Sequence, residues 1–117
     1  MSNRSKSTQF RELVSLYLQV QGIPAEPKPD NHGQLPAELR DGEAGHIRGL
    51  DSWLVNVRNE GQRDLSGALD SAEVAAEIGG KPLSAVVFHR ASRSPGEHYV
   101  LMSLDTFAKV LAMEQTP

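Results

Sequence analysis

The segment from Gly45 to Asn59 constrains the fold of this chain more than any other. It reads as two short strands joined by a tight turn. Trp53, Val55 and Val57 alternate with Leu54, Asn56 and Arg58, and the two-residue period of a strand sends the first set to one face and the second to the other. Asn56 and Arg58 therefore point the same way. A buried amide or guanidinium costs several kcal/mol unless it is paired or wet, so two such groups on a strand this apolar mark a candidate site.

The rest of the chain arranges itself around that pair of strands. Ser7 or Thr8 is placed to cap a helix whose apolar residues Phe10, Leu13, Val14 and Tyr17 follow helical spacing, with Leu16 and Val20 widening the stripe. Gly22 ends this helix and Pro24 prevents a restart. Residues 24–42 are rich in Pro, Gly, Asp and Asn and read as loop, with an edge strand around Ile23 to Glu26. Such a length without regular structure signals function or mobility.

After the central strands, Asp64 or Ser66 is positioned to cap a second helix with Leu65, Ala68, Leu69, Ala72 and Ala76 as its buried stripe and Gly79-Gly80 as its stop. The uninterrupted run Ala85-Val86-Val87-Phe88 within Pro82–Ala91 is expected of a strand covered on both faces. A turn at Ser94-Pro95-Gly96 leads to a strand over His98–Met102, and a last helix begins at Ser103 or Leu104 and carries Phe107, Ala108 and Leu111. The predicted fold class is α/β, a mixed central sheet flanked by helices. Residues 1–7 form a polar tail and residues 8–117 a single domain.

Composition narrows the functional classes. With 117 residues the chain has room for one modest core. No apolar run approaches the ~20 residues needed to span a bilayer, and Met1 to Ser7 lack the apolar stretch of a secretory signal. The absence of cysteine removes disulfide frameworks and thiolate zinc sites. His32, His46, His89 and His98 include no pair at the i, i+4 spacing of a zincin helix, and Gly79-Gly80-Lys81 lacks the earlier glycine and following Ser/Thr of a phosphate-binding loop. An intracellular protein is expected, in the cytoplasm. A net charge of −3 argues against a wholly basic nucleic-acid binder but leaves room for a local patch.

The central segment resembles that of the phage and bacterial Holliday-junction resolvase-like nucleases of the PDDEXK superfamily. In that family a Gly-Asp-Ile-x-Gly strand precedes a strand carrying Glu-x-Lys-Asn, and the Asp and Glu bind divalent metal. Here His46 stands at the Asp position, Asn56 at the Glu and Arg58 at the Lys, while Ile47, Gly49 and Asn59 match. The Asp64–Glu73 helix, the hairpin with its basic first arm and the Thr106-Phe107 helix extend the likeness over most of the chain from Phe10.

The resemblance implies a nuclease-like core of α-β-β-β-α-β type in a bacterial or phage-infected cell, a homodimer, and a metal motif that has degenerated. Hard cations such as Mg²⁺ want anionic oxygens. An imidazole, a neutral amide and a fixed cation are poor substitutes, so no catalytic role is expected of His46, Asn56 or Arg58, and no cofactor. Arg58 keeps a positive charge able to hold phosphate but not to act as a base.

Three readings follow from the resemblance. The first is a binding module for branched or duplex DNA or for a protein partner, with Arg48, Arg58, Arg63, Lys81, Arg90 and Arg93 as the nucleic-acid face. A working Mg²⁺- or Mn²⁺-dependent endonuclease that recruits its carboxylates from Asp41, Glu43 or Asp51 is the second. The third is an inhibitor that occupies a partner protein.

Overall fold

A computed structural model of the chain describes residues 6–27, 45–58 and 64–115. The alternating segment is realised as strand β3 (Trp53–Arg58), and the strands around it are β1 (Glu26–Pro27), β2 (Ile47–Arg48), β4 (Leu83–Phe88) and β5 (Tyr99–Leu101). They form one five-stranded mixed sheet in the order β1-β2-β3-β4-β5. Helices α1 (Lys6–Val20), α2 (Leu65–Gly79) and α3 (Leu104–Gln115) flank it, so the fold is α/β.

Neighbouring strands are antiparallel except β3 and β4, which run parallel from Trp53↔Leu83 to Arg58↔Phe88. A parallel pair needs a long crossover, and α2 supplies it. The two parities of β3 then enter separate cores. Val55 and Val57 pack with Phe10, Val14, Ala25 and Ile47 under α1. Leu54 packs with Val86, Phe88 and the alanines Ala68, Ala72 and Ala76 under α2. Those alanines recur every fourth residue, and their small side chains let the helix lie close to the sheet.

Helix ends follow local chemistry. Asp64 caps α2, its Oδ1 accepting the Gly67 N–H at 2.8 Å, and the chain closes off with Lys81 N–H donating to the Ala76 carbonyl. Ser103 caps α3, its hydroxyl oxygen accepting the Thr106 N–H at 3.0 Å. Helix α1 is already formed at Lys6, ahead of the expected Ser7 or Thr8 cap and inside the expected tail. The edge strand sits at Glu26–Pro27, slightly later than expected.

Two glycines of the central segment are required by the backbone. Gly45 and Gly49 have φ of 88° and 87°, which L side chains rarely adopt. A Cβ on Gly49 would also run into the Pro24 carbonyl. The short loop between β2 and β3 therefore depends on the glycine at position 49 for both its φ and the space at Pro24.

The buried stripes are narrower than the apolar spacing suggests. Leu16 and Val20 of α1 and Leu65 of α2 are exposed. In α3 the buried residue is Thr106, and Phe107 and Leu111 are exposed.

Candidate functional site

The residues at the motif positions meet where β2 and β3 part. Ile47 pairs with Val55, the His46 N–H donates to the Val55 carbonyl at 2.9 Å, and the Val57 N–H donates to Nδ1 of the His46 ring at 2.8 Å. An imidazole thus stands where a continuing ladder would offer a carbonyl. Accepting at Nδ1 requires a lone pair there, so this arrangement is that of a neutral ring with its proton on Nε2. The histidine is employed in holding the two strands together.

Asn56 and Arg58 share the α2 face of β3, about 7 Å apart along the strand. Asn56 is only 8 % exposed. Arg58 is half-buried, and its Nε is a buried donor with no partner among the described residues. An unpaired buried donor is expensive, which marks this strand end as a candidate binding spot.

This donor set does not fit a hard dication. The His46 nitrogen facing the strand is spent on the Val57 N–H, Asn56 offers one neutral oxygen, and Arg58 is a cation. Among the described residues no three His, Asp or Glu side chains gather in a metal-holding group. Of the fallback carboxylates, Asp41 and Glu43 lie outside the described residues. Asp51 is exposed in the β2–β3 loop, at the end of β3 opposite Arg58.

The basic residues do not form one face. Arg58 and Arg90 are at the same end of the sheet, joined through the His89 N–H to Arg58 carbonyl bond of 3.0 Å. Lys81 is at the other end, roughly 17 Å away by the rise of β3, where its ammonium donates to the carbonyls of Leu50 and Asp51 at 2.8 and 3.1 Å. The local reason is geometric: Lys81 follows the α2 stop, beside the start of both parallel strands. Arg48 pairs with Glu26 across β1–β2 at 3.8 Å and Arg93 with Glu97 at 4.0 Å. Arg63 lies outside the described residues.

A second group assembles beyond the C-terminal end of β4, one that spacing alone did not suggest. His89 and His98 lie with ring centroids 4.9 Å apart, and Phe10 of α1 meets both edge-on at 5.0 and 4.8 Å. The turn at Ser94-Pro95-Gly96 brings the two histidines together, and it is pinned by the Ser94 N–H and hydroxyl, which both donate to the Glu97 carboxylate. Those bonds, aided by the Arg90 charge, hold the Glu97 carboxyl below its ordinary pKa. Burial, reinforced by His89, lowers that of His98, whose Nδ1 accepts the Arg90 N–H at 2.9 Å.

Beside this group an apolar groove of about 240 Å³ opens between α1 and the β4–β5 face of the sheet, lined by Leu13, Tyr17, Trp53, Val87, Val100 and Met102 among others. Trp53 is therefore part of this wall and of the α1 core. Among the described residues no helix is long and apolar enough to cross a membrane. In comparisons with protein-family models, curated proteins and solved structures, nothing matches this chain.

Proposed function

We propose that this chain is a nuclease-like module of the resolvase type that binds the sugar-phosphate backbone of branched or duplex DNA without cutting it. The observation that carries this reading is Arg58, whose buried Nε has no partner among the described residues, on the strand face it shares with the buried Asn56. A phosphate oxygen suits this face, because a guanidinium forms strong charge-assisted bonds to it and an amide NH₂ can donate alongside. Arg90 lies at the same end of the sheet and adds charge. Such contacts fix register on the nucleic acid and carry no sequence preference. The order of elements, one helix, three strands, a crossover helix and a parallel strand, supports the nuclease-like reading without naming the family.

Fluorescence anisotropy with four-way junction, duplex and single-stranded DNA over a salt series tests it. The expected result is an affinity falling linearly with salt on a log–log plot, with Arg58→Ala reducing the slope by about 1. DNA stays intact in Mg²⁺ or Mn²⁺. Cleavage abolished by Asp41→Ala would replace this reading with the endonuclease, and no binding even at low salt would leave the protein-partner reading. A reversal is sharper still. The triple change His46→Asp, Asn56→Glu, Arg58→Lys should create a calorimetrically detectable Mn²⁺ site, and no gain over the wild type counts against the motif alignment.

A further inference from the structure

The C-terminal ends of the two parallel strands face an aromatic side chain that phosphate binding at Arg58 leaves unused. Register sets Arg58 beside Phe88 and Phe88 beside Tyr99, so the three stand in one row across β3, β4 and β5. Phe88 belongs to the core under α2, which puts the whole row on the α2 face of the sheet. Tyr99, on the edge strand, is 55 % exposed. Helix α3 does not cover this corner, because its first turn packs near Ser84, at the opposite end of β4.

The Arg90 guanidinium lies over the Tyr99 ring, 4.9 Å from its centroid. Two bonds hold it there: the Arg90 N–H donates to Nδ1 of His98 at 2.9 Å, and Nη1 donates to the Glu97 carbonyl at 3.4 Å. The Glu97 carboxylate is itself committed to Ser94 and Arg93. The corner thus presents a planar cation held over an aromatic ring. Two strand spacings, about 10 Å, separate the backbone there from that of Arg58, whose buried Nε has no partner among the described residues.

A nucleotide has matching ends, an anionic phosphate and a flat base. Aromatic rings and guanidinium planes both stack on bases, and every base has such a plane, whereas Arg58 answers the phosphate. In an intact duplex each base face is covered by its neighbours, so only an unpaired base can reach Tyr99. We propose that Arg90 and Tyr99 form a stacking platform for an unpaired base whose strand is held through a phosphate at Arg58, so that the site selects DNA with single-stranded nucleotides over intact duplex. The platform rests on the phosphate reading of Arg58 and goes beyond it in naming the form of DNA the site prefers. Because stacking tolerates any base, it adds affinity for an open strand without reading sequence.

Fluorescence anisotropy on the full chain, comparing a labelled thymidine oligonucleotide of about ten residues with an abasic one of equal length, is the test. The two carry the same phosphates, and only the first has bases. The thymidine strand should bind at least ~5-fold more tightly with the same salt slope. Tyr99→Ala should erase that preference and leave the abasic affinity unchanged, while Tyr99→Phe, which keeps the ring, should retain it. Arg58→Ala should instead weaken both strands and lower the salt slope of each. Tyr99 is exposed, so circular dichroism should show one fold for the wild type and both Tyr99 variants. Equal binding of the two strands, a Tyr99→Ala loss shared by both, or a Tyr99→Phe as damaging as alanine would overturn the platform and leave the phosphate reading standing. No binding of either strand at low salt would overturn both.

Discussion

Replacing His46 by alanine removes the acceptor that the Val57 N–H uses and leaves the rest of the sheet in place. Val57 is 5 % exposed, so water cannot readily take over the bond of 2.8 Å to Nδ1. The cost is then that of an orphaned buried donor, about 1–3 kcal/mol, rather than the smaller net worth of an average hydrogen bond. For a domain of this size the melting temperature should fall by about 4 °C for each kcal/mol. His46→Asn is the informative control, because the Asn Oδ1 occupies nearly the place of the imidazole Nδ1 and accepts the same proton.

Urea unfolding of the three proteins gives the free energies, and amide hydrogen exchange reports Val57 directly. Alanine should destabilise with an unchanged denaturant slope and speed exchange at Val57, while asparagine recovers most of both. If asparagine is as damaging as alanine, the acceptor role of the ring is wrong and His46 acts through packing alone.

Two further outcomes follow from the geometry. Gly49→Ala combines a left-handed φ with a clash at the Pro24 carbonyl, and urea unfolding should show a loss of about 1–3 kcal/mol or more. His98 is held neutral by burial first and by His89 second, so its folded pKa is depressed. Below the ordinary value of about 6.5 the unfolded chain takes up the proton more readily than the folded one. The stability this residue contributes is therefore complete above that value and drains away as pH falls through the folded pKa. Urea midpoints measured from pH 8 to pH 5 should decline in the wild type and decline less in His98→Asn, which keeps an acceptor for the Arg90 N–H; parallel profiles would refute the assignment.

The sequence by itself determined what depends on near neighbours. The alternation through Trp53–Arg58 is a backbone property, so it divided β3 into two faces before any partner was known. Asp64 as one of two candidate caps, the helix start at Ser103 or Leu104, the Gly79-Gly80 stop and the four-residue spacing of Ala68, Ala72 and Ala76 are equally local, and the structure uses them. What spacing could not supply was which surface each helix would meet. The apolar stripe of α3 was legible as Phe107, Ala108 and Leu111, but nothing local distinguishes a stripe that covers a sheet from one left facing outward.

Only the tertiary structure decided how the polar residues are used. Pairing of Ile47 with Val55 puts the His46 ring opposite the Val57 N–H, and a slip of one residue would have turned every side chain of the strand to the other face. The same long-range registry sends Lys81 to the carbonyls of Leu50 and Asp51, some thirty residues earlier, and so divides a set of cations that the linear sequence presents as one. It stacks His89 and His98 against Phe10 from the far end of the chain. A strand's period is written in consecutive residues, but the partner of a buried polar atom is fixed by whichever distant segment the packing brings within about 3 Å, and that depends on the whole fold at once.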